Sequence, residues 1–445
     1  MKRILSILGC LACIAVSAQP SYTLEQILDS ARVNNVSIRG ARYDIEAAAQ
    51  QRKEAFTKYF PEVSATGLWF NSNKPMAQVD INLADKITPE MGQMLAQILP
   101  PEALAALGTP LSMSMLKNGT VAGVMATQPV FAGGRIVNGN KLAKLGEEVS
   151  ELKYELSQNE VERTAEQYFW QIISLQEKMN TLNAVDTLLS DICKDVKVAV
   201  DAGVAMRNDL LQVQLRQNDI ASQKLKVNNG LGLVKLLLAQ YCGLKDEFFS
   251  LVSCDDAAPA LIARQNHEEA LYGTAEYKLL GKQVEAASLQ RKIEVGKYLP
   301  TVAVGAGYNY HNLLDNDHHF GMIFATVNIP ISGWWGGSHA IKRKSIEYQK
   351  AKDQLDDKSA LLRIRMQNAW NSVEEAWEQL LLTDRSIEQA KENLRLNVDY
   401  YHAGLSKMSD LLEAQLLYQQ AMDRRTDASA NYHNQVTLYR QATGQ

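Results

Sequence analysis

Five residues between two alternating apolar stretches carry side chains suited to a metal site: His311, Asp315, Asp317, His318 and His319. Imidazole and carboxylate at that density suit zinc or another late transition ion. The same residues read as a solvated loop, because they connect two elements rather than sit on one. The loop reading is taken, and no metal site is assigned. Met91, Met94, Met113 and Met115 offer thioethers of the kind that hold Cu(I). They also fit packing around a small apolar helix bounded by prolines at 88–106, and packing is preferred. Three cysteines lie beyond the N-terminal segment: Cys193, Cys242 and Cys254. Cys242 and Cys254 could pair, but an odd number argues against an obligatory set of bridges, and buried free thiols are expected. His267, beside Glu268 and Glu269, reads as a helix-start residue. No P-loop, GxSxG, HExxH or CxxC pattern occurs. With no catalytic constellation and no cofactor motif, an enzyme is not expected.

The chemistry is sparse, so the elements that position it matter more. The chain has 445 residues, 46% of them hydrophobic and 22% charged, with only 11 prolines. That composition is neither disordered nor collagen-like. Its net charge is −4, which excludes a nucleic-acid binder by bulk electrostatics. Lys2-Arg3, the apolar run from Ile4 to Val16, and Val16-Ser17-Ala18 read as a signal peptide over residues 1–18. Spacing disfavours acylation at Cys10 or Cys13. Beyond the leader no 18-residue apolar stretch occurs, so the exported chain is expected to be either soluble or a β-barrel.

An internal duplication organises what remains. Ala202-Gly203-Val204, Asp209-Leu210-Leu211, Gln214 and Leu215 recur 201 residues later as Ala403-Gly404-Leu405, Asp410-Leu411-Leu412, Gln415 and Leu416. Lys58-Tyr59-Phe60-Pro61 recurs 239 residues later as Lys297-Tyr298-Leu299-Pro300. The first copy therefore carries an insert near residues 72–118. Each copy reads as helix, strand, strand, very long helix, turn and return helix. The first unit spans 19–244, a connection 245–265, and the second unit 266–445. Strands are expected at about 62–70, 119–131, 300–310 and 321–331. The long helices are expected at about 136–200 and 338–401, the turns at 201–208 and 402–409. In the long helices apolar residues recur at three and four, as in Ala165, Tyr168, Ile172 and Leu175, or Trp370, Val373, Trp377 and Leu380. A helix of about 64 residues spans ~96 Å, which implies a tube, stalk or needle. Half-length helices pair end to end along each long one, and the connection would form a belt around the middle.

In Val302–Tyr310 even positions are apolar or aromatic and odd positions small or polar. From Met322 to Ile331 the phase inverts, with Ile323, Ala325, Val327, Ile329 and Ile331 on one face. This is the two-sided alternation of a barrel wall. Trp69, Phe70, Tyr308 and Tyr310 are candidate membrane-interface aromatics. Trp334 and Trp335 suit either interfacial anchoring or packing. A half-buried sheet in a soluble sandwich shows the same pattern, and that alternative stays open. Four strands cannot close a barrel, since single-chain barrels start at about 8, so closure requires several copies.

The whole chain beyond the leader resembles the TolC-like outer-membrane efflux proteins. The resemblance lies in the tandem duplication, the Tyr-Phe-Pro and Tyr-Leu-Pro before the strands, Gln-Pro-Val-Phe-Ala-Gly-Gly-Arg at 128–135, and the two Ala-Gly-[Val/Leu]-x4-Asp-Leu-Leu turns. The implied fold is mainly α with a small β part: a homotrimer with a twelve-stranded outer-membrane β-barrel joined to a twelve-helix periplasmic α-barrel. The implied function is passive export through the outer membrane of a Gram-negative bacterium. The implied partners are a periplasmic adaptor and an inner-membrane transporter, which supplies the energy and selects the cargo. Outer-membrane lipid would surround the strands.

The resemblance also assigns residues. The two repeated turns become periplasmic tips that dock the adaptor through Gly203, Val204, Gly404 and Leu405. Acidic rings at the constricted mouth fall on Asp410 and Glu413, one helical turn apart. A latch tyrosine falls on Tyr401, with Asp209 as its partner on the other tip. The family's latch arginine falls on Ser406, a departure, with Lys407 adjacent as a substitute. Asp209 and Asp410 are also placed to cap the return helices. The rival reading is a coiled-coil adaptor or structural stalk without a barrel.

Overall fold

A computed structural model describes residues 20–103, 111–245, 249–252, 260–313 and 316–445. The leader, Asp315 and Cys254 lie outside these residues, as does any pairing of Cys254 with Cys242. By contact the chain divides into two units, and each draws on both sequence copies.

The helical unit comprises the described residues up to Ala49, Leu145–Glu285 and Gln349–Gln445. A two-residue strand β1 (Ser21–Tyr22) leads into α1 (Leu24–Asn34). Thr23 Oγ1 accepts the Gln26 N–H and Gln26 Oε1 accepts the Thr23 N–H, a reciprocal cap that fixes the start. The sequence suggests one helix from here to residue 57. The chain instead breaks at Asn35 and resumes as α2 (Val36–Thr57). Asn35 is buried, accepts the Ser37 N–H at 2.8 Å and donates to the Tyr241 carbonyl at 3.0 Å. The second copy breaks at the corresponding place, Thr274, between α6 (His267–Gly273) and α7 (Ala275–Gly296). There the buried Thr274 hydroxyl donates to the Leu271 carbonyl and accepts the Tyr277 N–H. In both copies a short polar side chain outcompetes the helical ladder for backbone groups. Helical periodicity continues across such a break, which hides it from the sequence.

The long helices are α4 (Arg135–Asp201, 67 residues) and α8 (Gly333–His402, 70 residues), each roughly 100 Å. The return helices are α5 (Arg207–Cys242) and α9 (Met408–Ala442). One core joins Ile27, Ala31 and Ile38 to Phe169, Trp170 and Ile172 and to Leu238 and Cys242. Another joins Trp370, Val373 and Ala376 to Tyr432, Val436 and Tyr439. These are the three-and-four stripes of the sequence, buried against their neighbours. Cys242 is fully buried, and that burial pushes its thiol up to about 12. Within the expected belt, β6 (Ser250–Leu251) pairs in parallel with β1. The Tyr432 hydroxyl also donates to the Ala260 carbonyl at 2.6 Å.

The second unit comprises Gln50–Lys144 and Ala286–Tyr348. Its centre is an antiparallel sheet of β2 (Glu62–Asn71), β5 (Asn118–Ala132), β7 (Thr301–Asn312) and β8 (Asp317–Asn328), in that spatial order. The sequence insert holds more than the expected helix. It forms a hairpin of β3 (Ala77–Ile81) and β4 (Leu111–Met115), with α3 (Pro89–Ile98) between them. Met91 and Met94 are exposed on α3, while Met113 and Met115 belong to β4, so the four methionines do not share one helix.

Three sequence expectations need correction here. Strand β8 begins at Asp317 and ends at Asn328, so Asp317, His318 and His319 are strand residues, and Ile329 and Ile331 lie beyond the strand. His311 is likewise in β7 rather than in a loop. Helix α8 begins at Gly333, which places Trp334 and Trp335 in its first turn. There they separate in role: Trp334 Nε1 donates to the Tyr298 carbonyl at 2.9 Å, while Trp335 is 82% exposed.

Candidate functional site

Two features of the fold bear on function: the paired helix turns and the open sheet.

The turns are near copies of one another. Gly203 has φ 74° and Gly404 has φ 73°, a left-handed conformation in which a Cβ is strained. The Gly203 N–H donates to the Val200 carbonyl and the Val204 N–H to the Ala199 carbonyl. The Gly404 N–H donates to the Tyr401 carbonyl and the Leu405 N–H to the Tyr400 carbonyl. Each is a Schellman termination. In that motif the apolar residue after the glycine commonly packs back on the helix. Here Val204 is 80% exposed and Leu405 77% exposed. Two unpartnered apolar residues therefore stand at equivalent points of the two turns.

Asp209 and Asp410 do not occupy the N-cap positions. Met206 and Lys407 do, and each aspartate is the third residue of its helix. From there Asp410 Oδ2 accepts the Lys407 N–H at 3.2 Å. Among the described residues, no such side-chain bond caps α5. Both carboxylates still favour the positive end of the helix dipole. Asp410 and Glu413 are exposed on one face of α9, one turn apart.

Tyr401 packs partly buried against a cluster of Ile192, Val196, Val213, Met408 and Leu411, which ties the two hairpins together. Burial raises its hydroxyl above the ordinary phenol range, and the nearby Asp209 charge raises it further. Tyr401 and Asp209 are thus electrostatic neighbours, without a hydrogen bond between them among the described contacts. Ser406, at the position where the resemblance puts an arginine, has a buried hydroxyl with no partner among the described residues.

Sequence reasoning missed a polar clamp above these turns. Arg216 on α5 donates from Nε to Gln415 Oε1 at 2.9 Å and from Nη2 to Gln419 Oε1 at 2.8 Å. Gln419 Nε2 donates in turn to Gln223 Oε1 at 2.8 Å. Gln415 is fully buried and Gln419 nearly so. Desolvation pulls the Arg216 guanidinium below its ordinary range. The available signal was Gln415 itself, a polar residue at three-and-four spacing with the buried Met408 and Leu411.

In the sheet, strand register assigns the faces. Tyr308, Tyr310, Ile323, Val327, Val63 and Trp69 share one face, and Ile323 there is 89% exposed. Among the described residues both outer strands, β2 and β8, have one unpaired edge in the main sheet. The opposite, more polar face carries Ser64, Thr66, Thr127, Asn309, His311 and Thr326 beside Leu68, Phe320 and Met322. Phe70 also falls on this polar face, because neighbouring residues in a strand point opposite ways. It is thereby separated from Trp69, Tyr308 and Tyr310 on the other face. On the polar face Phe324 lies flat over its cross-strand partner Gly305, where a Cβ would meet the ring at 2.3 Å. This is an aromatic covering a glycine that the close approach requires.

A sheet with an exposed apolar face and two unpaired outer edges thus belongs to a chain that also forms paired long helices. Residues 280–445 match the family described as outer membrane efflux protein. No curated protein matches the chain. Solved structures do. The outer membrane protein VceC from Vibrio cholerae is 13% identical, over 95% of this chain and 96% of its own, with a TM-score of 0.72. The CmeC outer membrane channel of Campylobacter jejuni is 14% identical, over 95% and 85%, with a TM-score of 0.71. The MtrE outer membrane channel of Neisseria gonorrhoeae, in its open state, is 14% identical, over 95% and 88%, with a TM-score of 0.74. At this identity the structures establish the fold. The family match covers most of the second copy, from residue 280 on. The chain has the fold of these outer-membrane channels.

Proposed function

We propose that three copies of this chain form a passive export duct, with twelve strands closed into one outer-membrane barrel. A periplasmic adaptor opens the duct at its helical tips, and an inner-membrane transporter drives the cargo through it. The observation that carries this reading is the four-stranded sheet with an exposed apolar face and unpaired outer edges on β2 and β8. Unpaired edges are costly in lipid, because no water satisfies their N–H and C=O groups. Pairing β8 of one copy with β2 of the next removes both edges, and three copies give twelve strands.

Within this duct Asp410 and Glu413 form acidic rings at the periplasmic mouth, where three copies of each favour cations. Tyr401 and Asp209 act at the contact between hairpins that must part when the mouth opens. Gly203, Val204, Gly404 and Leu405 present the adaptor-docking tips. The test is extraction and gel mobility. A heat-modifiable trimer that leaves membranes only with detergent supports the duct; release by salt alone overturns it.

A further inference from the structure

We infer that His311 and His318 form a two-imidazole site for a late first-row divalent ion such as Cu2+, Ni2+ or Zn2+, on the polar face of the sheet. The two residues are direct cross-strand partners in β7 and β8, so their side chains leave the sheet side by side on the same face. Their ring centroids are 5.2 Å apart, with the planes inclined at 37°. That spacing lets one ion bridge the pair after small side-chain rotations.

Three further observations support the site. His311 and His318 stand on paired strands, so the backbone holds them in register, unlike ligands on a connecting loop. Among the described residues the buried Nδ1 of His311 has no hydrogen-bond partner. Phe320 packs edge-on against the His311 ring at 6.1 Å and limits its rotation. Among the described residues, neighbouring His319 and Asp317 do not compete for the site. His319 points to the opposite face, between Tyr308 and Tyr310. Asp317 shares that opposite face and takes hydrogen bonds from the Tyr310 hydroxyl and Asn312 Nδ2.

Neutral imidazole binds copper, nickel and zinc well and magnesium or calcium poorly, which sets the class of ion. Two ligands leave the remaining coordination positions to water, so binding is reversible. The site itself requires only the register of β7 and β8. Its exposure to a pore rests on the duct reading: each bound ion would then place positive charge inside the barrel.

The test uses untagged, detergent-purified full-length protein with Cu2+ as the probe. Electron paramagnetic resonance is expected to show one tightly held Cu2+ per chain with imidazole nitrogen ligands. His311→Asn and His318→Asn should each weaken that binding at least tenfold, and His319→Asn should leave it unchanged. Equal binding by the wild type and the His311→Asn/His318→Asn double variant overturns the site, as does equal loss in His319→Asn. In the wild type, Cu2+ should also protect His311 and His318 from diethyl pyrocarbonate, read by mass spectrometry. Unprotected rings overturn the site even where a variant fails to fold. Cu2+ bound by imidazole in a protein that forms no channel would uphold the site and remove only its placement in a pore.

Discussion

Arg216 reaches Gln415 across the two return helices, its Nε 2.9 Å from the amide oxygen of a fully buried side chain. A second donor nitrogen of the same guanidinium holds Gln419 one turn further along. Arg216→Ala leaves two buried amide oxygens without their donor, so a loss of about 3 kcal/mol is expected. Arg216→Lys keeps the charge but not the fork, and should recover only part of it. Thermal unfolding of the helices, followed by circular dichroism, checks both variants. If the hairpins separate on opening, single-channel recordings of Arg216→Ala should also show more frequent openings. Unchanged melting in Arg216→Ala would mean that the clamp contributes nothing.

The proposed placement of Asp410 and Glu413 at the mouth can be tested without disturbing the fold. Asp410 bonds the Lys407 N–H, so alanine there would remove a cap together with a charge. Asp410→Asn with Glu413→Gln keeps the acceptor oxygens and removes only the charge. Planar-bilayer recordings should show lower cation selectivity, or raised conductance, in the double variant. Selectivity and conductance equal to wild type would exclude these residues from the narrowest part of the path.

Adaptor docking calls for a substitution that spares the turn. Glutamate at Gly404 adds charge but also forces a side chain onto a φ of 73°, at a cost of about 1–2 kcal/mol. Leu405→Asp carries no such penalty, since Leu405 is exposed and its backbone is ordinary. Efflux in cells should fall in Leu405→Asp and in Val204→Asp while the heat-modifiable trimer persists. Efflux at the wild-type level in both would remove the tips from the docking surface.

Much of this was legible in sequence for a plain reason. The long helices announce themselves through stripes such as Trp370, Val373 and Leu380, whose three-and-four spacing survives any local variation. The turns are visible because Gly203 and Gly404 sit in a repeated context that only a left-handed backbone explains. What stayed hidden depends on contacts between distant parts of the chain. The breaks at Asn35 and Thr274 do not interrupt the apolar pattern. The clamp from Arg216 joins residues 199 and 203 positions apart. The histidines at the facing ends of β7 and β8 carry no strand-forming pattern, so only the observed pairing shows that the strands continue through them.

Glu166 offers a pH test within the helical unit. Burial raises its carboxyl above the ordinary range, against the Thr437 hydroxyl, which donates to it at 2.6 Å, and the Arg440 charge. A carboxyl raised on folding binds its proton more tightly in the native state. Stability is therefore greatest below the unfolded-state value and falls as pH rises through the folded one. Glu166→Gln removes this dependence. Its melting temperature relative to wild type should improve on going from mildly acidic to neutral pH. A difference that stays constant across that range would show that Glu166 ionises normally.

The two faces of β8 give the most direct test of which side meets lipid. Met322 and Ile323 are adjacent, so they point to opposite faces of one strand. Ile323 shares its face with Tyr308 and Val327 and is 89% exposed, an arrangement that water would penalise and hydrocarbon would not. A lysine on the lipid side near the bilayer midplane costs about 2–4 kcal/mol, whereas one on the lumen side stays hydrated. Ile323→Lys is expected to reduce the yield of heat-modifiable trimer in the outer membrane. Met322→Lys should assemble normally and lower cation conductance, because its charge enters the pore. The reverse pattern, with Met322→Lys failing to assemble and Ile323→Lys altering conductance, would turn the barrel wall inside out. Normal assembly of both, with unaltered conductance, would mean that this sheet does not line a membrane pore at all.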